Sequence, residues 1–233
     1  MKINFFSKLL LCTGAALLLS SCDIDDDNNN YYNPIDQTIA RGVIANVSPN
    51  SGDLYFYADA NLVNNSPLGY NAAEGYYGFY TGNRVLSVKN TAGNIVASDT
   101  ISLAAGQYFS AFAVNTFDNI ELVTYTDSLD YPAANRTRVR FINLSPDAGG
   151  ITITAPNLTF ATDLGFKEST SFDEVESGNY TITFTSTATG EVLFTTTATE
   201  LNNGGNYTIY TKGFVTPPAG SNDTFSSEKL RNY

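Results

Sequence analysis

The chain has 233 residues, of which 12 are basic and 23 are acidic, giving a formal net charge of −11. This balance excludes nucleic acid as a natural partner, because phosphate binding draws on clusters of Lys and Arg. The sequence contains no His, which removes the commonest general base and the commonest metal ligand together. We therefore expect neither a metal nor another cofactor.

Residues 1–21 have the pattern of a bacterial signal peptide. Lys2 and Lys8 supply the basic start, and an apolar stretch follows over residues 9–19. That stretch is too short for a membrane span, which needs about 20 apolar residues. The sequence Leu-Ser-Ser-Cys that ends at Cys22 resembles the lipobox of bacterial lipoproteins and implies that Cys22 is acylated and begins the mature chain. The alternative is ordinary cleavage that leaves a free thiol at this position.

An acidic segment over residues 22–37 follows the lipobox. Its aspartates are Asp23, Asp25, Asp26 and Asp27. The run resembles the acid-rich signal that sends lipoproteins of the Bacteroidetes group to the cell surface, and it implies an outer-membrane lipoprotein of the cell envelope whose folded part faces outward. A solvated tether is the alternative interpretation, and the two are compatible.

The remaining chain is an internal duplication with an offset of about 97 residues. The matched blocks are Asn46–Asn50 with Asn143–Asp147, Leu68–Tyr70 with Leu164–Phe166, Thr81–Asn83 with Ser177–Asn179, and Leu103–Tyr108 with Leu201–Tyr207. Four blocks in one order predict two modules, over residues 38–128 and 134–233. Between them, Pro132 marks a short hinge.

Both copies have the pattern of β-strands throughout. Runs such as 54–57, 85–88 and 180–185 are rich in aromatic and β-branched residues, and Gly and Asn clusters separate the runs. Leu54 and Phe56 align with Ile151 and Ile153 of the second copy, and we predict that these apolar positions point inward. With no helical period, the chain is predicted to be all-β, with two tandem immunoglobulin-like antiparallel β-sandwich modules. The Leu-x-x-Gly-x-Tyr pattern ending at Tyr108 is similar to the tyrosine corner of immunoglobulin-type folds, and we expect Tyr207 to be its counterpart.

These motifs together resemble those of the domain-of-unknown-function family 4397, which occurs in tandem in bacterial envelope proteins. The resemblance rests on the Asn-x-Ser-Pro-Asn/Asp block, the Ser/Thr-Gly-Asn turn, the Gly-x-Tyr strand start and the closing segment 120–123. It covers nearly all of the mature chain and implies a fold and an envelope location. It supplies no catalytic residues. The second copy departs from the pattern at 217–222, where a longer loop precedes the last strand.

Two sets of polar residues could carry chemistry but have simpler explanations. The Ser-Pro-Asn/Asp blocks offer oxygen ligands, yet Pro followed by Asn or Asp is typical of a β-turn, and we interpret them as turns. Catalysis without His or a free Cys would need paired carboxylates, as in glycosidases. Asp53, Glu74 and Asp99 are the candidates, but no motif places two of them together, so we expect no enzyme activity.

Three arginines, Arg136, Arg138 and Arg140, alternate along one predicted strand. Alternation places them on one face of that strand. This stripe predicts either a solvated face or a contact between the modules.

Four tyrosines of the first copy are the candidate ligand-binding residues. Tyr55 and Tyr57 stand opposite Thr152 and Thr154 of the second copy, and Tyr77 and Tyr80 stand opposite Asp173 and Glu176. A position that accepts a carboxylate in the sister copy is a poor candidate for burial. We therefore predict that all four rings are exposed, where they could stack on the sugars of a glycan. The alternative is that the rings are scattered or cover the contact between modules.

The sequence therefore predicts a non-enzymatic, lipid-anchored envelope protein that acts as a binding or spacer module. The first alternative is a surface glycan-binding or adhesion protein that uses these tyrosines. The second is a carbohydrate-active enzyme. The expected partners are the membrane, through the lipid on Cys22, and a glycan or another envelope protein.

Overall fold

A computed structural model describes residues 38–232. The predicted signal peptide, Cys22 and the acidic segment lie outside the described residues. The first copy forms β1 (Ala40–Asn46), β2 (Leu54–Ala58), β3 (Asn61–Leu62), β4 (Ala72–Phe79), β5 (Gly82–Asn90), β6 (Ile95–Leu103), β7 (Tyr108–Val114) and β8 (Glu121–Thr126), with a short 3₁₀ helix at Phe117–Asn119. The second copy forms β9 (Arg136–Asn143), β10 (Ile151–Ala155), β11 (Leu158–Leu164), β12 (Asp173–Glu176), β13 (Gly178–Tyr180), β14 (Thr183–Ser186), β15 (Val192–Thr195), β16 (Thr199–Leu201), β17 (Asn206–Lys212) and β18 (Ser226–Arg231).

Each copy is a sandwich of two four-stranded sheets, called here the central and the outer sheet. In the first copy the central sheet has the order β4-β1-β7-β8 and the outer sheet the order β3-β2-β5-β6. In the second copy the orders are β12-β9-β17-β18 and β11-β10-β14-β15, and β13 pairs separately with β16. The predicted all-β sandwich architecture is confirmed.

One pairing in each central sheet departs from the predicted antiparallel pattern. β1 lies parallel to β7, and β9 lies parallel to β17. Five strands, β2 to β6, lie between β1 and β7 in the chain, which supplies the long connection that parallel neighbours require. The central sheets are therefore mixed, and the outer sheets are antiparallel.

The strand register corrects one detail of the alignment between the copies. In the parallel pairs, Phe109 lies opposite Gly42 and Tyr207 lies opposite Val139, the counterpart of Gly42. The counterpart of Tyr207 is therefore Phe109, one residue after the expected Tyr108. Phe109 and Tyr207 are both buried in the cores of their copies. Tyr207 nevertheless makes a tyrosine-corner contact, since its hydroxyl accepts a hydrogen bond from the Asn202 N–H at 3.3 Å.

Three clusters of buried apolar side chains are found among residues 38–232. Two of them fill the sandwiches, and they contain the positions predicted to point inward: Leu54, Phe56, Ile151 and Ile153. The third cluster lies between the two central sheets and draws on both copies: Ala45, Val47, Phe112, Val114, Ile142, Leu144 and Tyr210. Both faces of each central sheet are therefore covered, and the two copies belong to one compact unit.

Two arginines of the β9 stripe, Arg138 and Arg140, reach residues at or next to the end of the first copy, whereas Arg136 lines a recess of the second copy. The Arg140 guanidinium forms an ion pair of 2.6 Å with Asp127 of the first copy, and both side chains are almost completely buried. Thr208 accepts two further hydrogen bonds from Arg140. Arg138 pairs at 3.0 Å with the exposed Asp130. An inter-module contact is therefore the correct interpretation for Arg140.

The recurring Asn-x-Ser-Pro block is a buried turn. The side-chain amides of Asn46 and Asn143 each donate hydrogen bonds to two backbone carbonyls of their own copy, at 2.8–3.0 Å. Each side-chain oxygen accepts a hydrogen bond from the N–H of the Ser two residues later, at 3.2 Å. The turn interpretation is confirmed, and the hydrogen bonds explain why the block occurs in both copies.

Candidate functional site

A cleft at one edge of the first copy brings aromatic and charged side chains together. It lies between the end of β4 and the β2–β3 hairpin, beside the start of β5, and its volume is about 300 Å³. This value is at the lower end of the range for small-ligand pockets, about 300–1,000 Å³. We call it the tyrosine cleft; its lining includes Leu62, Tyr77, Tyr80, Asp59 and Arg84.

The two tyrosines of the cleft differ in exposure. Tyr80 follows the last residue of β4 and is 75% exposed. Tyr77 is half-buried against the core of the first copy, and its hydroxyl donates a hydrogen bond of 2.6 Å to Glu74. Burial, together with the neighbouring Glu74 carboxylate, raises the pKa of Tyr77 to about 12. Tyr77 is thus fixed in place, whereas the ring of Tyr80 is available for contact.

An ion pair provides the polar wall of the cleft. Arg84 and Asp59 lie 3.0 Å apart and are each about a third exposed. Arg84 also donates two hydrogen bonds to the Thr81 carbonyl, and the Val85 N–H donates to Asp59 at 3.0 Å. The Val85 N–H and the Arg84 guanidinium hold the pKa of the Asp59 carboxyl below its usual value. Both charged groups are therefore held in fixed orientations at neutral pH.

Tyr55 and Tyr57 lie apart from the cleft. They alternate along β2 with the core residues Leu54 and Phe56, so they lie on the outward face of the outer sheet. The ring of Tyr57 is covered by the Lys89 ammonium group, 4.0 Å from its centre. Both tyrosines are half-buried.

The predicted exposure of the four tyrosines is found to different extents at the four positions. Tyr80 is exposed, while Tyr55, Tyr57 and Tyr77 are half-buried, and none of the four is fully buried. β2 and β4 belong to different sheets. The structure brings Tyr77 and Tyr80 together in one cleft and separates them from the other pair.

The candidate catalytic acids are exposed and lie on different elements. Asp53 precedes β2, Glu74 lies on β4 and Asp99 lies on β6. Over residues 38–232, no group of three or more Cys, Asp or Glu side chains is arranged to hold a metal ion. In the same range, no helix has the length and apolar character needed to cross a membrane.

Sequence reasoning missed the charged residues of the cleft. Asp59 sits at the tip of the β2–β3 hairpin with a positive φ of 55°, and a single Asp at a turn is too common to attract notice. Arg84 lies about 25 residues further along the chain. Only the pairing of β2 with β5 brings the two side chains together.

The family resemblance is confirmed for part of the chain, which makes up somewhat more than half of the described residues. Residues 43–154 match the family model described as "Domain of unknown function (DUF4397)". The match begins in β1, contains the whole tyrosine cleft and extends into β10 of the second copy. A comparison with curated proteins finds no match.

Several solved structures are similar to this chain at low identity. The fimbrial anchor protein Mfa2 from Porphyromonas gingivalis is 11% identical, with 83% of this chain and 97% of that chain covered and a TM-score of 0.22. A streptococcal virulence factor that binds alpha-glucan is 10% identical, with 73% and 92% covered and a TM-score of 0.25. A family CBM26 module from Eubacterium rectale Amy13K, in complex with maltoheptaose, is 13% identical, with 83% and 97% covered and a TM-score of 0.23. Similarity at this level carries no argument about function.

Proposed function

We propose that this chain is a non-enzymatic, lipid-anchored protein of the cell envelope that binds a surface glycan through the tyrosine cleft. The observation that carries the proposal is the cleft itself, where the exposed ring of Tyr80 stands beside a fixed Arg84–Asp59 pair. Aromatic faces stack on the apolar faces of sugar rings, and oriented charged groups bind sugar hydroxyls. The recess therefore offers both kinds of contact that a sugar ring needs.

The cleft is poorly equipped for glycoside hydrolysis. That reaction needs two carboxyl groups facing one bond, one of them with a raised pKa. Asp59 is the single carboxylate in the lining of the cleft, and its pKa is lowered. A carboxyl that stays ionised cannot act as the general acid, which supports binding without catalysis.

Glycan binding by the soluble chain tests the proposal. A Cys22→Ser form of the mature chain, applied to an array of bacterial and host glycans, is expected to bind at least one glycan. Replacing Tyr77 and Tyr80 together by Ala should weaken that binding at least tenfold, because each aromatic contact contributes about 0.5–1.5 kcal/mol beyond its buried area. Titration calorimetry with the bound glycan measures the change.

Tyr131 provides the matched control. It is 94% exposed in the segment between the copies and does not line the cleft, so Tyr131→Ala should leave affinity unchanged. Binding that survives the double Ala substitution, or an array on which nothing binds, would contradict the proposal.

The anchor is tested separately. In cells, Cys22→Ser should release the protein from the membrane fraction, because acyl chains supply about 0.8 kcal/mol per buried CH₂ and this Cys is the proposed attachment point. Proteolysis of intact cells should degrade the unmodified protein if it faces outward. A Cys22→Ser protein that still sediments with membranes, or protection until the outer membrane is broken, would contradict this part of the proposal.

A further inference from the structure

The second copy has a recess at the same place in its fold as the tyrosine cleft. This second recess lies between β12 and the β10–β11 hairpin, beside β13, and has a volume of about 430 Å³. The strand registers make the two recesses equivalent position by position. Phe79 pairs with Ala40, and Val175 pairs with Thr137, which is the counterpart of Ala40. Phe79 and Val175 are therefore counterparts, and so are the next residues, Tyr80 and Glu176. The recess is thus a property of the module fold, while its lining is free to vary.

The two linings differ at each position that gives the tyrosine cleft its chemistry. Glu176 replaces Tyr80, Tyr180 replaces Arg84, and Pro156 replaces Asp59. The second copy folds with none of the three residues. The stacking ring and the ion pair of the first copy are therefore not requirements of the fold.

The ion pair retains unused hydrogen-bonding capacity. Arg84 uses three N–H groups, two towards Thr81 and one towards Asp59, of the five that a guanidinium carries. Asp59 accepts one hydrogen bond on each carboxylate oxygen, whereas two oxygens offer about four acceptor sites. The pair therefore still offers donors and acceptors side by side, which matches two neighbouring sugar hydroxyls that each donate and accept.

The charges around the cleft disfavour an anionic ligand. Arg84 and Asp59 neutralise each other, the Glu74 carboxylate is hydrogen-bonded to Tyr77, and the chain has a net charge of −11. From these observations we infer that the tyrosine cleft takes an uncharged saccharide, with Arg84 and Asp59 as its polar recognition groups and Tyr80 as its stacking face. This inference rests on the proposed function and specifies the ligand class.

Titration calorimetry with defined probes tests the inference. The neutral probes are maltohexaose, cellohexaose, xylohexaose and mannohexaose, and the acidic probe is tetragalacturonic acid. We expect at least one neutral probe to bind and the acidic probe to bind at least tenfold more weakly than the best of them. Arg84→Gln and Asp59→Asn should each weaken neutral binding at least tenfold. Asn tolerates the positive φ at position 59, so the hairpin should keep its shape.

Two variants serve as controls. Asp130→Asn removes the acid of an ion pair with the same 3.0 Å separation that lies outside the cleft, and it should leave affinity unchanged. Tyr80→Glu installs the residue that the second copy carries, so the chain should fold with an unchanged melting temperature and lose binding.

The possible outcomes separate the inference from the proposed function. Binding that is lost on Tyr77→Ala with Tyr80→Ala but kept in Arg84→Gln and Asp59→Asn would overturn the recognition role of the pair and leave glycan binding intact. Tetragalacturonic acid that binds as tightly as the best neutral probe would overturn the inference that the ligand is uncharged. The same inference would be overturned if no neutral probe bound at millimolar concentration while the array identified an acidic glycan.

Discussion

At the residue scale, the buried Arg140–Asp127 ion pair can be compared with the residues at the equivalent positions of the other copy. The Asp127 N–H donates to the carbonyl of Tyr108, and the Asn232 N–H donates to that of Asn206, each at 2.8 Å, so Asp127 and Asn232 are counterparts. The Asn232 side chain donates to Asp127 at 3.2 Å across the contact between the copies. The acid thus faces an arginine on one side and a neutral amide on the other.

The counterpart of Arg140 in the first copy is Val43, which is buried. Arg140 of the second copy pairs with Asp127 of the first, whereas their counterparts, Val43 and Asn232, are both uncharged. A buried charge is costly unless it is paired. The two substitutions between the copies, Arg for Val and Asp for Asn, therefore preserve charge balance at the contact.

Breaking this pair should destabilise the fold. Asp127→Asn leaves Arg140 buried without its counter-charge and should lower the free energy of unfolding by about 3–5 kcal/mol. Adding Arg140→Val removes the unpaired buried charge and should recover most of that loss. Urea denaturation of the single and double variants measures the effect.

The exposed pair supplies the comparison for this prediction. Asp130 is 78% exposed, so Asp130→Asn should cost less than about 1 kcal/mol. An Asp127→Asn loss as small as that of Asp130→Asn, or a double variant no more stable than the single one, would show that the buried pair does not stabilise the contact.

At the scale of strands and turns, the sequence predicted the parts that depend on local patterns. Alternation placed Leu54 and Phe56 inward, and the Pro-Asn turn after Asn46 was identified from its composition. The parallel β1–β7 pair was not predicted, because nothing local distinguishes a strand with a parallel neighbour from one with two antiparallel neighbours. The one-residue shift that aligns Tyr207 with Phe109 was missed for the same reason, since only pairing reveals register.

The candidate site was predicted in part for a related reason. Comparison of the copies identified Tyr77 and Tyr80 because their counterparts are carboxylates. It could not separate them from Tyr55 and Tyr57, since sequence alone does not assign strands to sheets. Asp59 and Arg84 become a site through the pairing of β2 with β5, which is a long-range contact without a sequence motif.

At the scale of the whole molecule, the segment predicted as a hinge joins two copies that share a core. Phe112 of the first copy packs against Tyr210 of the second, with ring centres 5.4 Å apart, and both rings are fully buried. Exposing this surface would place a large apolar area in water. The copies are therefore expected to unfold together.

Differential scanning calorimetry tests this expectation. The soluble chain should show one transition, with calorimetric and van't Hoff enthalpies in agreement. Phe112→Ala should cost about 3–5 kcal/mol and lower the temperature of the whole transition. Two separate transitions in the unmodified chain would mean that the copies are independent modules.

The central claim is that the tyrosine cleft of the first copy is the ligand site. The most direct measurement is a titration of the isotope-labelled soluble chain with the saccharide that binds best, followed by amide correlation spectra. We predict shift changes concentrated at Gly78, Tyr80 and Arg84, with none around Tyr57 or Glu176. Changes centred on the outer-sheet face at Tyr57, or on the recess at Glu176, would contradict the account.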